Sequence, residues 1–363
     1  MISSPMTVEK ISRCAVPPQI IDYFLRPPGL AQLDNRIQQR GFTEERVKQE
    51  KVMERVCEPR QLQEAWLQVK KNAAATGIDK LTVEKFESRN PELLEIISKK
   101  LRTGSYHFNP SRRLLIPKER SSKLRKLEIP MVMDRIVSQS QSLVFEEIFD
   151  PSFTESNFGF RRGRSQHMAI QHVQDIVRAG YKWCASITLE SFFDEVPHEL
   201  ILKLIREKIA DGQLLTLTAR ALKARVTVKG RIDKRENGCP QGSPLSPMLS
   251  NIVLNELDQE LERLGLRYCR WADDIVILLK TERAAKLELK SVTSYLKEHL
   301  ALLVNEEKSG VAMIKDVTFL GFRIVDGKMR VSDRARRKFK NMMKELGCWE
   351  GVASGKFLKD CDV

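Results

Sequence analysis

The sequence predicts a mixed fold, α/β or α+β, in which strands far apart in the chain are brought together. Two observations carry this. Some stretches repeat apolar residues at helical spacing, while others are short apolar runs bounded by glycine, proline or polar turns. The strand-like runs are also separated by whole helices, so a sheet built from them must join non-adjacent segments. With 363 residues, 42% of them hydrophobic and 30% charged, the chain can bury a core and accommodate roughly two or three subdomains.

The elements follow in order. Residues 1–50 hold "RPPG" (26–29), and "RIQQRGFTEERVKQEKVMERV" (36–56) is of mixed charge, which reads as an arm ending in a helix. In 59–86, Leu62, Trp66 and Val69 keep helical spacing, Gly77 ends that helix, and a second starts near Thr82. "RRLLIPK" (112–118) and "LRKLEIPMV" (124–132) read as two strands joined by a polar loop, followed by a helix over 133–149. "FGFRRGRSQ" (158–166) is a basic loop punctuated by glycine that leads into a helix from about Ser165. A strand over 182–193 precedes a helix over 194–209, with Asp194 as its cap and Leu200, Ile201, Leu204, Ile205 and Ile209 on one face. After the loop "GCPQGSPLSP" (238–247) comes a helix over 248–265; strands follow at 267–280 and 317–325, and a strongly basic helix at 333–346. No internal repeat is visible.

Lysine and arginine outnumber aspartate and glutamate by 62 − 48 = 14, which favours a polyanionic partner, most simply nucleic acid. The seven cysteines are scattered without a CxxC pair, which suits free thiols in a reducing compartment and argues against a zinc site. No apolar run reaches membrane-spanning length and the N-terminus lacks a signal-peptide core, so the expectation is a cytoplasmic protein with no membrane partner.

One stretch carries a chemical question. In "RYCRWADDIVILLK" (267–280), Asp273 and Asp274 sit beside a run that otherwise builds a buried strand. Anions there are costly to desolvate without compensation. Either they occupy a solvated turn or they hold a metal. A hairpin would put them at its turn, where neighbouring side chains point in different directions and at most one faces a given ion squarely.

The order of motifs says more than any single one. "NAAATGIDKLTVEKF", "RRLLIPK", "LRKLEIPMVMDRIVSQ", "FGFRRGRSQHMAI", "SFFDEVPHEL", "GCPQGSPLSPMLSNIVLNELD", "RYCRWADDIVIL", "LLVNEEKSGV" and "TFLGF" follow one another, and over roughly residues 60–340 the chain resembles the reverse transcriptases encoded by group II introns. The resemblance implies an α+β right-hand polymerase fold with fingers, palm and a truncated helical thumb. It divides the chain into an N-terminal arm (1–58), fingers with the start of the palm (59–180), palm (181–330) and a shortened thumb or maturase region (331–363). It also implies RNA-templated DNA synthesis by two-metal nucleotidyl transfer, with Mg²⁺ or alternatively Mn²⁺, deoxynucleoside triphosphates, a DNA primer, and a template or intron RNA as partners.

Residue by residue, the resemblance makes Asp273 and Asp274 the catalytic metal ligands, preceded by Trp271 where tyrosine is usual. Lys118 and Arg125 match residues gripping the incoming triphosphate; Phe193 matches the aromatic that excludes a ribose 2′-hydroxyl; Gln241 and Lys308 match positions beside the nucleotide. Arg161, Arg162 and Arg164 match template-phosphate contacts, with Arg162 replacing a usual proline. Lys126 and Glu128 stand where proline and glycine are usual.

Two departures define the alternative. The family's other metal-bridging aspartate falls on Thr188, whose neutral hydroxyl cannot offset a divalent charge; Glu190, two residues on, would be displaced by about 6–7 Å of strand rise. After "TFLGF" the basic remainder (Arg334, Arg336, Arg337, Lys338, Lys340) is short for a thumb, and no Cys/His-rich endonuclease domain is present. The alternative expectation is therefore a catalytically inactive, RNA-binding maturase-like protein, or a degenerate intron-encoded remnant.

Overall fold

The computed structural model describes residues 48–72, 75–117, 124–228 and 231–345. Its first part is helical. α1 (Val52–Val56) and α2 (Pro59–Lys71) begin it, with a proline at the start of α2 where an amide hydrogen would go unused. Leu62, Ala65, Trp66 and Val69 recur every three or four residues of α2 and are all buried. α3 (Val83–Glu87) is capped by Thr82, whose hydroxyl accepts from the Lys85 amide at 3.2 Å, and α4 (Asn90–Arg102) follows.

β1 (Ser111–Pro117) and β2 (Leu124–Ile129) form the expected antiparallel pair, and α5 (Val132–Phe149) packs back on α2. α6 (Gln166–Arg178) starts where expected, with Ser165 accepting from the Met168 amide. β3 (Trp183–Thr188) is shorter than the sequence suggested. Ser191 takes a left-handed conformation (φ 48°), ending the strand direction, and Phe192–Glu195 forms a short helix, α7. The next helix, α8 (His198–Lys208), is entered through Pro197, and Asp194 does not cap it as the sequence had predicted. The turn at Ser191 displaces Asp194 into α7, four residues ahead of the helix it was expected to start.

α9 (Gly212–Leu222) is capped by Asp211, whose carboxylate accepts from the Gln213 and Leu214 amides. β4 (Val226–Val228) and β5 (Arg231–Asp233) then return to the first sheet, giving the order β2-β1-β4-β5 with β1 and β4 parallel. Val226–Val228 and Arg231–Asp233 thus pair in a sheet with strands that precede residue 180. α10 (Ser246–Arg263) leads to β6 (Arg267–Trp271) and β7 (Asp274–Leu279), and α11 (Glu282–Leu300) to β8 (Gly310–Met313). β9 (Phe322–Val325) and β10 (Lys328–Val331) make a separate hairpin, and the basic helix α12 (Asp333–Glu345) ends the described residues. Residues 1–47 of the expected arm and 346–363 of the expected thumb region lie outside the described residues.

The second sheet, β6-β7-β3-β8, is wholly antiparallel and covered on both faces. Ala185, Ile187, Ile275 and Ile277 face the main core, while Cys184, Cys269, Val276 and Leu278 pack in a second cluster with Ala169, Ile170 and Val173 of α6. Double burial explains why "IVILL" shows no polar alternation. Each fully buried isoleucine, leucine or valine contributes about 1.5–3 kcal/mol. The described cysteines, Cys57, Cys184, Cys239 and Cys269, are free and buried.

Candidate nucleotidyl-transfer site

The site forms where β3 ends and β7 begins. Thr188 and Asp274 are direct cross-strand partners, and the Thr188 hydroxyl donates to Asp274 Oδ1 at 2.9 Å. Asp273 lies in the two-residue turn between β6 and β7, and its carbonyl accepts from the Leu189 amide. The Thr188 backbone is fixed from the other side: its amide donates to Ser309 Oγ at 3.0 Å and its carbonyl accepts from the Asn305 amide at 2.9 Å. Lys308 lies on that same Asn305–Ser309 turn, exposed and beside the strand end.

A buried polar network shapes the Asp273 turn. Arg270 and Asp258 are both fully buried and joined by a bidentate ion pair, Nε lying 2.8 Å from Oδ1. Arg270 Nη1 also donates to Asn251 Oδ1 and to the Ala272 carbonyl, both at 3.0 Å. Asn251 in turn donates to the Gly159 carbonyl at 2.8 Å. Ala272 is left-handed (φ 56°), and a Cβ on Gly159 would lie 2.3 Å from the Ala272 nitrogen, so only glycine fits there. None of Asp258, Asn251 and Arg270 was singled out from the sequence. The available signal was Arg270 set between Cys269 and Trp271 in a strand leading to an apolar run.

A cleft of about 440 Å³ is lined by Phe160, Phe193, Gln241, Gly242, Gln139 and Arg135, among others. Phe193 sits in α7, edge-on to Phe192. Gln241 donates to Asp194 Oδ1 at 3.4 Å, and its carbonyl accepts from the Glu128 amide at 2.7 Å. Gly242 (φ 121°) passes so close to β2 that a Cβ would meet the Glu128 carbonyl oxygen at 2.2 Å. The Glu128 carboxylate is buried between Arg113 (3.1 Å) and Arg235 (2.6 Å). This unexpected acid therefore ties the first sheet to the loop before Gln241 and reaches that loop already neutralised.

The three loop arginines separate. Arg161 is buried by its partners: Nε lies 2.6 Å from Asp150 Oδ1, and Nη1 donates to the Thr154 and Asn157 carbonyls at 2.8 and 3.1 Å. Its donors hold the loop. Arg164 pairs with Glu155 and lies over the Phe158 ring. Arg162 projects outward, 67% exposed, with a loose 3.4 Å contact to Glu146. Arg125 lies in β2 opposite Ile116, and Lys118 lies outside the described residues.

The donor set decides what the site can hold. Reverse transcriptases use divalent ions, and a pair of hard dications needs several anionic oxygens. Among the described residues no group of three or more histidine, cysteine, aspartate or glutamate side chains could hold a metal. Here two carboxylates remain, one of them already accepting the Thr188 hydroxyl. These residues do not fit a two-ion centre.

The reverse transcriptase (RNA-dependent DNA polymerase) family matches residues 116–324. Protein YkfC of Escherichia coli K12 is 31% identical over 335 residues, covering 79% of this chain and 88% of that one. The group II intron-encoded protein LtrA of Lactococcus lactis subsp. cremoris is 31% identical over 243 residues, 67% of this chain but 39% of LtrA. A solved telomerase of Candida tropicalis shares the fold at a TM-score of 0.50 and 12% identity, covering 62% of this chain and 55% of that one. The chain belongs to the reverse transcriptase family, and within it to the group II intron type. Among the described residues, no helix is long and apolar enough to cross a membrane.

Proposed function

We propose that this chain is an RNA-binding protein of the group II intron reverse transcriptase type whose palm, the sheet carrying Thr188 and Asp274, is impaired in nucleotidyl transfer. The observation that carries the reading is the Thr188 hydroxyl donating to Asp274, where the resemblance places a bridging carboxylate. A neutral donor there supplies no negative charge and occupies one oxygen of a carboxylate the chemistry would need. RNA is the partner because the chain carries a +14 charge, with Arg162 exposed at the loop beside the cleft. Template or intron RNA fits this reading without chemistry.

A second reading is a working RNA-directed DNA polymerase taking a DNA primer, deoxynucleoside triphosphates and Mg²⁺ or Mn²⁺. The retention of Asp273 and Asp274, and the cleft shared by Phe193 and Gln241, favour it. Primer extension on an RNA template separates the two. The unmodified chain is expected to extend the primer little or not at all, and Thr188→Asp to extend it clearly. Extension by the unmodified chain that Asp273→Asn abolishes would instead establish the second reading.

A further inference from the structure

We propose that Phe160 is a preformed stacking platform for an unpaired nucleobase of a bound RNA strand; this rests on the RNA-binding reading above. The residue is 53% exposed and lines the cleft, although large aromatics ordinarily gain by burial. Its backbone is left-handed (φ 57°), a conformation costly for a bulky side chain that persists only where the surroundings impose it.

Those surroundings are specific. Before Phe160, Gly159 lies flush against Ala272 and its carbonyl accepts from Asn251. After it, Arg161 is clamped to Asp150, Thr154 and Asn157. The chain thus holds an apolar ring outward in a strained conformation from both sides. A flat apolar ring turned outward from a fixed backbone in a basic protein matches the face of a base, because every base offers a π-face whatever its sequence. Gln139 and Gln241 line the same cleft, their amide nitrogens donating to Gln68 and Asp194. Arg162, the next exposed residue, stands where the strand's phosphate would pass.

The test compares a single-stranded RNA with an abasic strand of equal length and charge. Stacking one base is worth about 1–3 kcal/mol, so the unmodified chain should prefer the base-bearing strand by about 5- to 150-fold. Phe160→Ala and Phe160→Gly should collapse that preference, Phe160→Trp should keep it, and all should bind the abasic strand equally with the same salt dependence. Phe160→Gly also relieves the left-handed strain, so its fold should survive while its preference is lost.

If the unmodified chain binds RNA and Phe160→Ala keeps the preference, stacking is refuted and RNA binding stands. If the Gly variant loses abasic binding as well, the ring's role is structural and the assignment fails. Failure of the unmodified chain to bind either strand would overturn the RNA-binding reading and the stacking with it.

Discussion

Replacing Arg270 with leucine should be among the most damaging single changes in this chain. Arg270 and Asp258 are each 0% exposed, so Arg270→Leu leaves a buried carboxylate without its counter-ion. Breaking such a pair from one side costs about 3–5 kcal/mol. The Ala272 carbonyl also loses its Arg270 donor, at about 1–3 kcal/mol for a group left unsatisfied, whereas Asn251 Oδ1 still accepts from the Asn157 amide at 3.4 Å. The two contributions overlap, so the expected loss is roughly 4–7 kcal/mol, comparable with the whole stability of an ordinary domain. Urea unfolding followed by circular dichroism measures it. The double variant Arg270→Leu/Asp258→Leu removes both charges and should recover most of the loss, because only the neutral Ala272 carbonyl loses its donor. A single variant within about 1 kcal/mol of the unmodified chain would refute the claim that this pair anchors the turn.

Other outcomes follow from the same structure. Burial raises the Asp134 carboxyl from 3.8 to about 6, against the bonds it accepts from Tyr106 and Asn109. Between those values the folded state holds a proton that the unfolded state releases, so this group's contribution to stability falls as pH rises through that window. A shift of this size is worth up to about 3 kcal/mol, and comparing pH-dependent unfolding of the unmodified chain with Asp134→Asn should show that slope lost in the variant. Gly242→Ala should destabilise by at least about 1–3 kcal/mol, because the added carbon meets backbone and the φ of 121° disfavours it. Gly310→Ala, with nothing within 4 Å of its added carbon, should lie near the unmodified chain when both glycine variants are compared by urea unfolding.

Much of the fold and part of the site were legible in the chain itself. Helices α2, α5, α6 and α10 were expected where they occur, since helix preference acts locally within a turn or two. The hairpin with Asp273 at its turn was visible because a short polar break interrupts an apolar run. Thr188 stood out only through the family resemblance, which places a metal-bridging aspartate five residues before Phe193.

Tertiary structure decided the rest. The short strands β4, β5, β8 and β10 have too few residues to carry a periodic signal, and their pairing depends on partners up to more than a hundred residues away. Asp194 looked like a cap because its sequence neighbourhood suits one; the left-handed turn at Ser191 overrode that preference. The arginines of "RRGR" are nearly alike in the sequence, yet packing sent Arg161 inward to Asp150 and left Arg162 outside. Sequence thus determined which local structures were favourable and which residue stands at each chemical position. Only the folded chain could decide which charges are neutralised, because neutralisation depends on distance and desolvation between residues far apart in the sequence.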